Sequence, residues 1–131
     1  MGNVSIYDTY TGSEIELDPA VQKNISIYSC GVTVYDLSHI GHARVFIVFD
    51  ILRHVLEKNG FNVIYVQNFT DIDDKIIDRA AKEGVDYTKV SERYIAEYLA
   101  DSDLLNISRA DIYPRATGHV EEMVKIIKRL V

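Results

Sequence analysis

A single cysteine, Cys30, stands nine residues before the string His39-Ile40-Gly41-His42 in a chain of 131 residues. A thiolate is a soft nucleophile and metal ligand, and imidazole is a proton carrier, hydrogen-bond donor and ligand near neutral pH. Around them lie two glycines. Gly31 lets backbone approach a ligand closely, and Gly41 does the same where a helix begins. His39 and His42 are three apart, so on a helix they share one face of the first turn. Their ring N–H groups then add to the free backbone N–H groups and the positive end of the helix dipole, which makes an anion site, with phosphate the natural anion. No GxxxxGK[ST] string is present, so the donors are imidazoles and not a P-loop lysine. Two plainer readings stand beside this one. The histidines can be polar caps of a helix, or Cys30, His39 and His42 can be three ligands of a structural zinc.

The elements that must position these residues follow from pattern. Residues 5–17 read as two short extended runs around Tyr10-Thr11-Gly12-Ser13, a β-hairpin. Residues 25–30 form a strand that ends at the cysteine. From Gly41 a helix carries Val45, Phe49, Leu52 and Leu56 on one stripe, widened by Phe46, Ile47, Val48 and Ile51, so burial on more than one side is expected. Gly60 closes it as a left-handed cap. Residues 62–69 form a second strand, whose nearly unbroken apolar run fits a parallel strand covered on both faces. Strand, helix and strand in that order make a right-handed βαβ unit. Thr70 and Asp73 read as a capping pair opening a helix that ends at Gly84. A third helix carries Val90, Tyr94, Tyr98 and Leu105, and a last one Val120, Val124, Ile127 and Val131.

The expected fold is therefore α/β: the first half of a doubly wound parallel sheet, with an N-terminal hairpin and flanking helices. Residues 1–24 hold the hairpin, 25–84 the βαβ core and 85–131 a helical segment. The last helix shows no stop signal before Val131, so the chain is expected to be the first part of a longer fold. Apolar residues make up 47% and charged residues 26%, which fits a globular domain, and no apolar run reaches the length of a membrane span. A net charge of −6 disfavours wrapping nucleic acid by bulk electrostatics. One cysteine excludes an internal disulfide, which makes a reducing, cytoplasmic setting the expectation. Exposed half-sheet edges and the last apolar stripe favour self-association.

In an open α/β sheet, ligands bind at the carboxyl ends of the strands, and "CGVTVYDLSHIGHAR" (Cys30 to Arg44) leaves the first strand there. Together with "NFTDIDDKII" (Asn68 to Ile77) and "PRATGHVEEM" (Pro114 to Met123), this string resembles the cysteinyl-tRNA synthetases, a family of class I aminoacyl-tRNA synthetases. "HIGH" at residues 39–42 looks like the first class I signature. The resemblance implies a Rossmann-like, nucleotidyltransferase-type sheet and the activation of cysteine with ATP and Mg2+, followed by transfer to tRNA-Cys. It implies that His39, Ile40, Gly41 and His42 contact ATP, with the two histidines catalytic, and that Gly31 and Thr70 line the cysteine pocket. It further implies that Cys30 is a ligand of a Zn2+ ion that captures the substrate thiolate, the remaining ligands lying outside this chain. Zinc prefers a thiolate to a hydroxyl, so such a site would separate cysteine from serine where shape alone cannot.

Other residues stay open. Asp71, Asp73 and Asp74 read as hard metal ligands or, more plainly, as helix-start acids, with Asp71 and Asp74 pairing with Lys75 or other cations. His119 reads as a cleft residue or a solvated one. Asp50 reads as a buried ion-paired or hydrogen-bonded acid rather than a catalytic one, and His54 lies on a solvated face. The chain holds no "KMSKS"-like loop and no further cysteine, so it is expected to be inactive alone. Two alternatives remain: the related ligase joining cysteine to glucosaminyl-inositol in mycothiol synthesis, and a non-catalytic nucleotide- or partner-binding module.

Overall fold

The structure, a computed structural model, describes residues 4–131, so the first three residues of the expected hairpin region lie outside it. Strands β1 (Val4–Asp8) and β2 (Ser13–Leu17) pair antiparallel, Ile6 opposite Ile15. Asp8 builds the turn between them. Its carboxylate accepts from the Tyr10 and Thr11 N–H groups at 3.1 Å each and from the Thr11 hydroxyl at 2.8 Å. Gly12 closes the turn at φ +67°, a left-handed value that costs glycine nothing.

Strand β3 (Asn24–Ser29) and β4 (Asn62–Gln67) pair in parallel, with Ser29 opposite Gln67, and helix α1 (Ile40–Lys58) is the crossover between them. The end of α1 is a Schellman turn. Phe61 N–H reaches back to Leu56 C=O at 3.2 Å and Gly60 N–H to Glu57 C=O at 3.0 Å, while Leu56 and Phe61 bury together against Tyr65 and Ile27. Helix α2 (Asp74–Glu83) is capped by Asp73, whose carboxylate accepts from Lys75 N–H at 2.9 Å. Helix α3 (Tyr87–Leu104) is capped likewise by Asp86. Each such cap contributes about 1 kcal/mol. Thr70 takes no part in capping α2, contrary to the sequence reading: Asp73 is the cap, and the Thr70 backbone is bridged to Thr33, beyond the end of β3. Val90, Tyr94 and Tyr98 of α3 pack with Phe46, Phe69 and Ile76 into the larger core, and Leu105 falls just past the helix, about half exposed.

Three further features depart from expectation. Residues 111–115 add a third parallel segment on the far edge of β4, through bridges Val66–Ile112 and Phe69–Arg115. The region after residue 85 is thus not purely helical. Next, α1 buries only Phe46 and Leu56 fully, while Val45, Val48, Ile51 and Val55 remain exposed. In the same way, Tyr65 and Gln67 of β4 are buried but Ile64 is 51% exposed, so one face of α1 and of the sheet has no cover among the described residues. Beyond these, a 3₁₀ turn (Ala116–His119) leads into α4 (Val120–Leu130), whose apolar stripe of Val120, Val124 and Ile127 is exposed. No helix among the described residues is long and apolar enough to cross a membrane.

Candidate active site

The site lies where β3 and β4 end. Ser29 pairs with Gln67, yet the next bridge joins Thr33 to Thr70, so three residues (Cys30 to Val32) stand opposite two (Asn68 and Phe69). One extra residue in a ladder is a bulge, which bends the strand and re-aims side chains. Ser29 and Val32 point into the core, and Cys30 between them is turned out to solvent. The bulge requires glycine at its centre. A Cβ on Gly31 would sit 1.5 Å from the Asn68 carbonyl oxygen and 2.7 Å from its carbon, contacts no side chain tolerates. Gly31 N–H, displaced from the ladder, donates instead to Asn68 Oδ1 at 2.8 Å. Beyond it the ladder resumes: Thr70 N–H donates to Val32 C=O at 3.1 Å and Val34 N–H to Thr70 C=O at 3.3 Å.

The floor of this elbow is a buried polar chain. Tyr98 O–H from α3 donates to Gln67 Oε1 at 2.5 Å, Gln67 Nε2 donates to Tyr65 OH at 3.4 Å, and Tyr65 OH shares a hydrogen bond with Ser29 Oγ at 2.8 Å. Every one of these side chains is more than nine-tenths buried, and burial pushes both phenols above their ordinary pKa. They stay neutral, and the chain locks the last residues of both strands to α3.

His39 and His42 open α1 as a reciprocal cap. His39 Nδ1 accepts from Gly41 N–H at 3.1 Å, and His42 Nδ1 accepts from His39 N–H at 3.2 Å. The rings stack, centroids 3.9 Å apart and 16° from parallel. Gly41 permits this arrangement, since a Cβ there would lie 2.9 Å from His39 Cε1. Because both Nδ1 atoms accept, the proton of each neutral ring is on Nε2. Burial pushes the His42 pKa below its ordinary value, and the neighbouring His39 adds to that shift. The result is two N–H donors beside the positive end of a 19-residue helix. The capping reading of the sequence is what the structure shows: the Nδ1 atoms cap, which leaves the Nε2 atoms outside the cap. Beside His39, between α1 and the end of α3, lies a cavity of about 280 Å³ walled by Ala43, Phe46, Tyr98, Leu105 and Ile107.

The structure separates other residues that the sequence grouped. Among the described residues no three His, Cys, Asp or Glu side chains stand close enough to hold a metal ion, so a zinc held jointly by Cys30, His39 and His42 is ruled out. The same holds for Asp71, Asp73 and Asp74. Asp73 is the α2 cap, Asp74 sits in that helix's first turn, and Asp71 is buried. Asp71 does not pair with Lys75. Its carboxylate accepts from Thr117 N–H at 3.0 Å and from the Thr117 hydroxyl at 2.6 Å, while Lys75 lies over the Tyr35 ring. Asp50 accepts from Ser108 N–H at 3.0 Å, as a hydrogen-bonded acid should, and His54 is mostly solvated. His119 is exposed. The sequence reading gave no role to Asn68 or Gln67 and placed Tyr98 only on a helix stripe, although Asn68 stands two residues before Thr70 at a strand end, where side chains meet ligands.

The family of tRNA synthetases class I (C) catalytic domains matches over residues 16–131, most of the chain. The chain belongs to this family. Within it, the chain is 52% identical over 126 residues to a protein of Thermodesulfovibrio yellowstonii named cysteine–tRNA ligase, covering 96% of the chain and 26% of that protein. It is 47% identical over 127 residues to a protein of the same name from Pyrococcus abyssi, covering 97% of the chain and 27% of that protein. This class I synthetase chain therefore spans about a quarter of the length of the curated relatives it matches. A solved Mycobacterium tuberculosis methionyl-tRNA synthetase, in complex with methionyl-adenylate, superposes with a TM-score of 0.68 at 22% identity, over 73% of the chain and 19% of that structure. At that identity the likeness establishes the class I α/β fold.

Proposed function

We propose that the chain forms the nucleotide- and amino-acid-binding part of a cysteine–tRNA ligase, the activity named for its relatives at 47–52% identity. The observation that carries this reading is the reciprocal histidine cap. It presents two Nε2–H donors at the mouth of α1, on the carboxyl side of the β3–β4 pair, with Ile40 and Gly41 between them. Those donors and the helix dipole suit the phosphates of ATP, which would arrive with Mg2+. The carboxylate of L-cysteine would attack the α-phosphorus, pyrophosphate would leave, and the imidazoles would stabilise charge gathering on the phosphate oxygens. A 3′-terminal hydroxyl of tRNA-Cys would then attack the carbonyl of the cysteinyl-adenylate, forming the ester and releasing AMP. Gly31 and Thr70, joined at the elbow, would line the amino-acid pocket.

Cys30 would offer one solvent-facing sulfur to a zinc ion, which when bound would supply selectivity for the substrate thiol. Among the described residues no group of three or more His, Cys, Asp or Glu side chains stands together, so a zinc site is not something this chain's own residues complete. For the same reason, and because no lysine-loop signature is present, the chain alone is expected to bind but not to turn over. The residues offer nothing that favours an amino-sugar acceptor or a non-catalytic role over this reading. A cytoplasmic location goes with it.

Isothermal titration with ATP and Mg2+ tests the reading, using His42→Asn as the control. Asparagine keeps an acceptor where Nδ1 was, so the cap survives, but the Nε2 donor is gone. Saturable binding by the parent chain, weakened about tenfold or more in the variant, is expected. Equal binding by both would refute the phosphate role of His42.

A further inference from the structure

The bulge raises a problem of its own. It leaves the Gly31 N–H without a ladder acceptor, partly buried, at the point where the chain must hold Cys30 outward. It also leaves the Thr70 hydroxyl to be oriented by something other than the ladder, since the Thr70 backbone is already committed to Val32 and Val34. One side chain answers both needs. Asn68 Oδ1 accepts from Gly31 N–H at 2.8 Å, and Asn68 Nδ2 donates to Thr70 Oγ1 at 3.4 Å. A primary amide alone among side chains of this size offers an acceptor and a donor on one planar group. The Asn68 backbone is equally constrained, for its carbonyl oxygen fills the space a Gly31 Cβ would need. The next residue inward, Gln67, is fixed by Tyr98 and Tyr65.

We propose that Asn68 is the positioning residue of the amino-acid pocket, tying the Gly31 amide and the Thr70 hydroxyl into one unit and thereby fixing the direction of Cys30. The assignment rests on the reading of Gly31 and Thr70 as pocket residues. Asn68 itself touches protein only. Its effect on a ligand is through the two groups it holds, and rotation of its amide releases both together.

Two substitutions separate this role from simple space-filling. Asn68→Leu keeps the approximate shape and removes the acceptor. Asn68→Asp keeps the acceptor toward Gly31, and its second oxygen can accept from the Thr70 hydroxyl. In the full chain, amide hydrogen exchange at Gly31 is expected to quicken about tenfold in Asn68→Leu and to stay near the parent rate in Asn68→Asp, with Val90 and Tyr94 of α3 unchanged in both. Should the leucine variant fail to fold, Asn68→Ala removes the same acceptor with a smaller change. Parent-like exchange at Gly31 in the leucine or alanine variant, or equal loss in the aspartate variant, overturns the proposal. In a second arm, titration with a non-hydrolysable sulfamoyl analogue of cysteinyl-adenylate is expected to show binding by the parent and the aspartate variant, about tenfold weaker in the leucine variant. Equal affinity across all three also overturns it. An analogue that fails to bind the parent chain overturns the pocket reading of Gly31 and Thr70, and with it the pocket role of Asn68, whereas the exchange arm still decides whether Asn68 holds the elbow.

Discussion

Replacing Gly31 by alanine tests the bulge most severely. The added Cβ would lie 1.5 Å from the Asn68 carbonyl oxygen, and that obstacle is backbone, not the movable end of a side chain. Ordinary contact needs about 3.4 Å, so the ends of β3 and β4 must part by roughly 2 Å. Three hydrogen bonds span that gap: Gly31 N–H to Asn68, Thr70 N–H to Val32, and Val34 N–H to Thr70. At about 1 kcal/mol each they account for roughly 3 kcal/mol. Forcing atoms into the packed floor of Val32 and Phe69, both buried, adds about 1 to 2 kcal/mol. A loss of about 4 to 5 kcal/mol is thus expected, large against the 5 to 15 kcal/mol that holds a typical domain together. Urea denaturation followed by circular dichroism measures it, with the midpoint shifting and the slope unchanged. Gly118→Ala is the control, because nothing lies within 4 Å of a Cβ at that position and its stability should move by less than about 1 kcal/mol. If Gly31→Ala lost less than about 1 kcal/mol, the ends of the strands would be separable at little cost and the close-packed elbow would be wrong.

Other outcomes follow from the same contacts. The folded-state pKa of His42 is depressed, so the unfolded chain takes up the proton more readily; the contribution of the histidine cap is complete above the unfolded value, about 6.5, and is lost as pH falls below it. An NMR titration should place the His42 midpoint below 6.5, with amides of the first turn of α1 exchanging faster in acid; a raised midpoint would contradict the cap. Asp71→Ala strips Thr117 of both its acceptors and is expected to cost about 1 to 3 kcal/mol, with amides of the 3₁₀ turn and α4 exchanging sooner than those of α3. The exposed stripe of Val120, Val124 and Ile127 on α4 is expected to drive concentration-dependent association, seen by sedimentation and relieved by Val124→Lys with Ile127→Glu. A parent chain that stays monomeric across the accessible concentrations would remove that expectation.

Much of this molecule is decided within short stretches of chain. Gly60 and Gly84 stop their helices, at φ +97° and +67°, because left-handed backbone is costly for other residues. Asp73 and Asp86 start theirs because a short carboxylate reaches the free N–H groups of the next turn. The spacing of His39, Gly41 and His42 likewise contains the cap, since each partner is within three residues. Family membership, too, could be read from three short strings in order. What sequence pattern left undecided are the contacts between residues far apart along the chain. Residues 111–115 contain a proline and no alternating pattern, and they act as a strand only because β4 offers them an edge. Asp71 reads as one more helix-start acid until the fold brings Thr117 to it from 46 residues away. The one-residue slip between Ser29–Gln67 and Thr33–Thr70 has no local signature beyond Gly31, for register belongs to two strands and is set when they pack. Sequence therefore determined the family and the local turns and caps, the histidine cap among them. Tertiary pairing alone decided that Cys30 faces outward, that Asn68 holds Gly31 and Thr70, and that one side of α1 lies uncovered among the described residues, because those outcomes depend on which atoms meet in the folded chain.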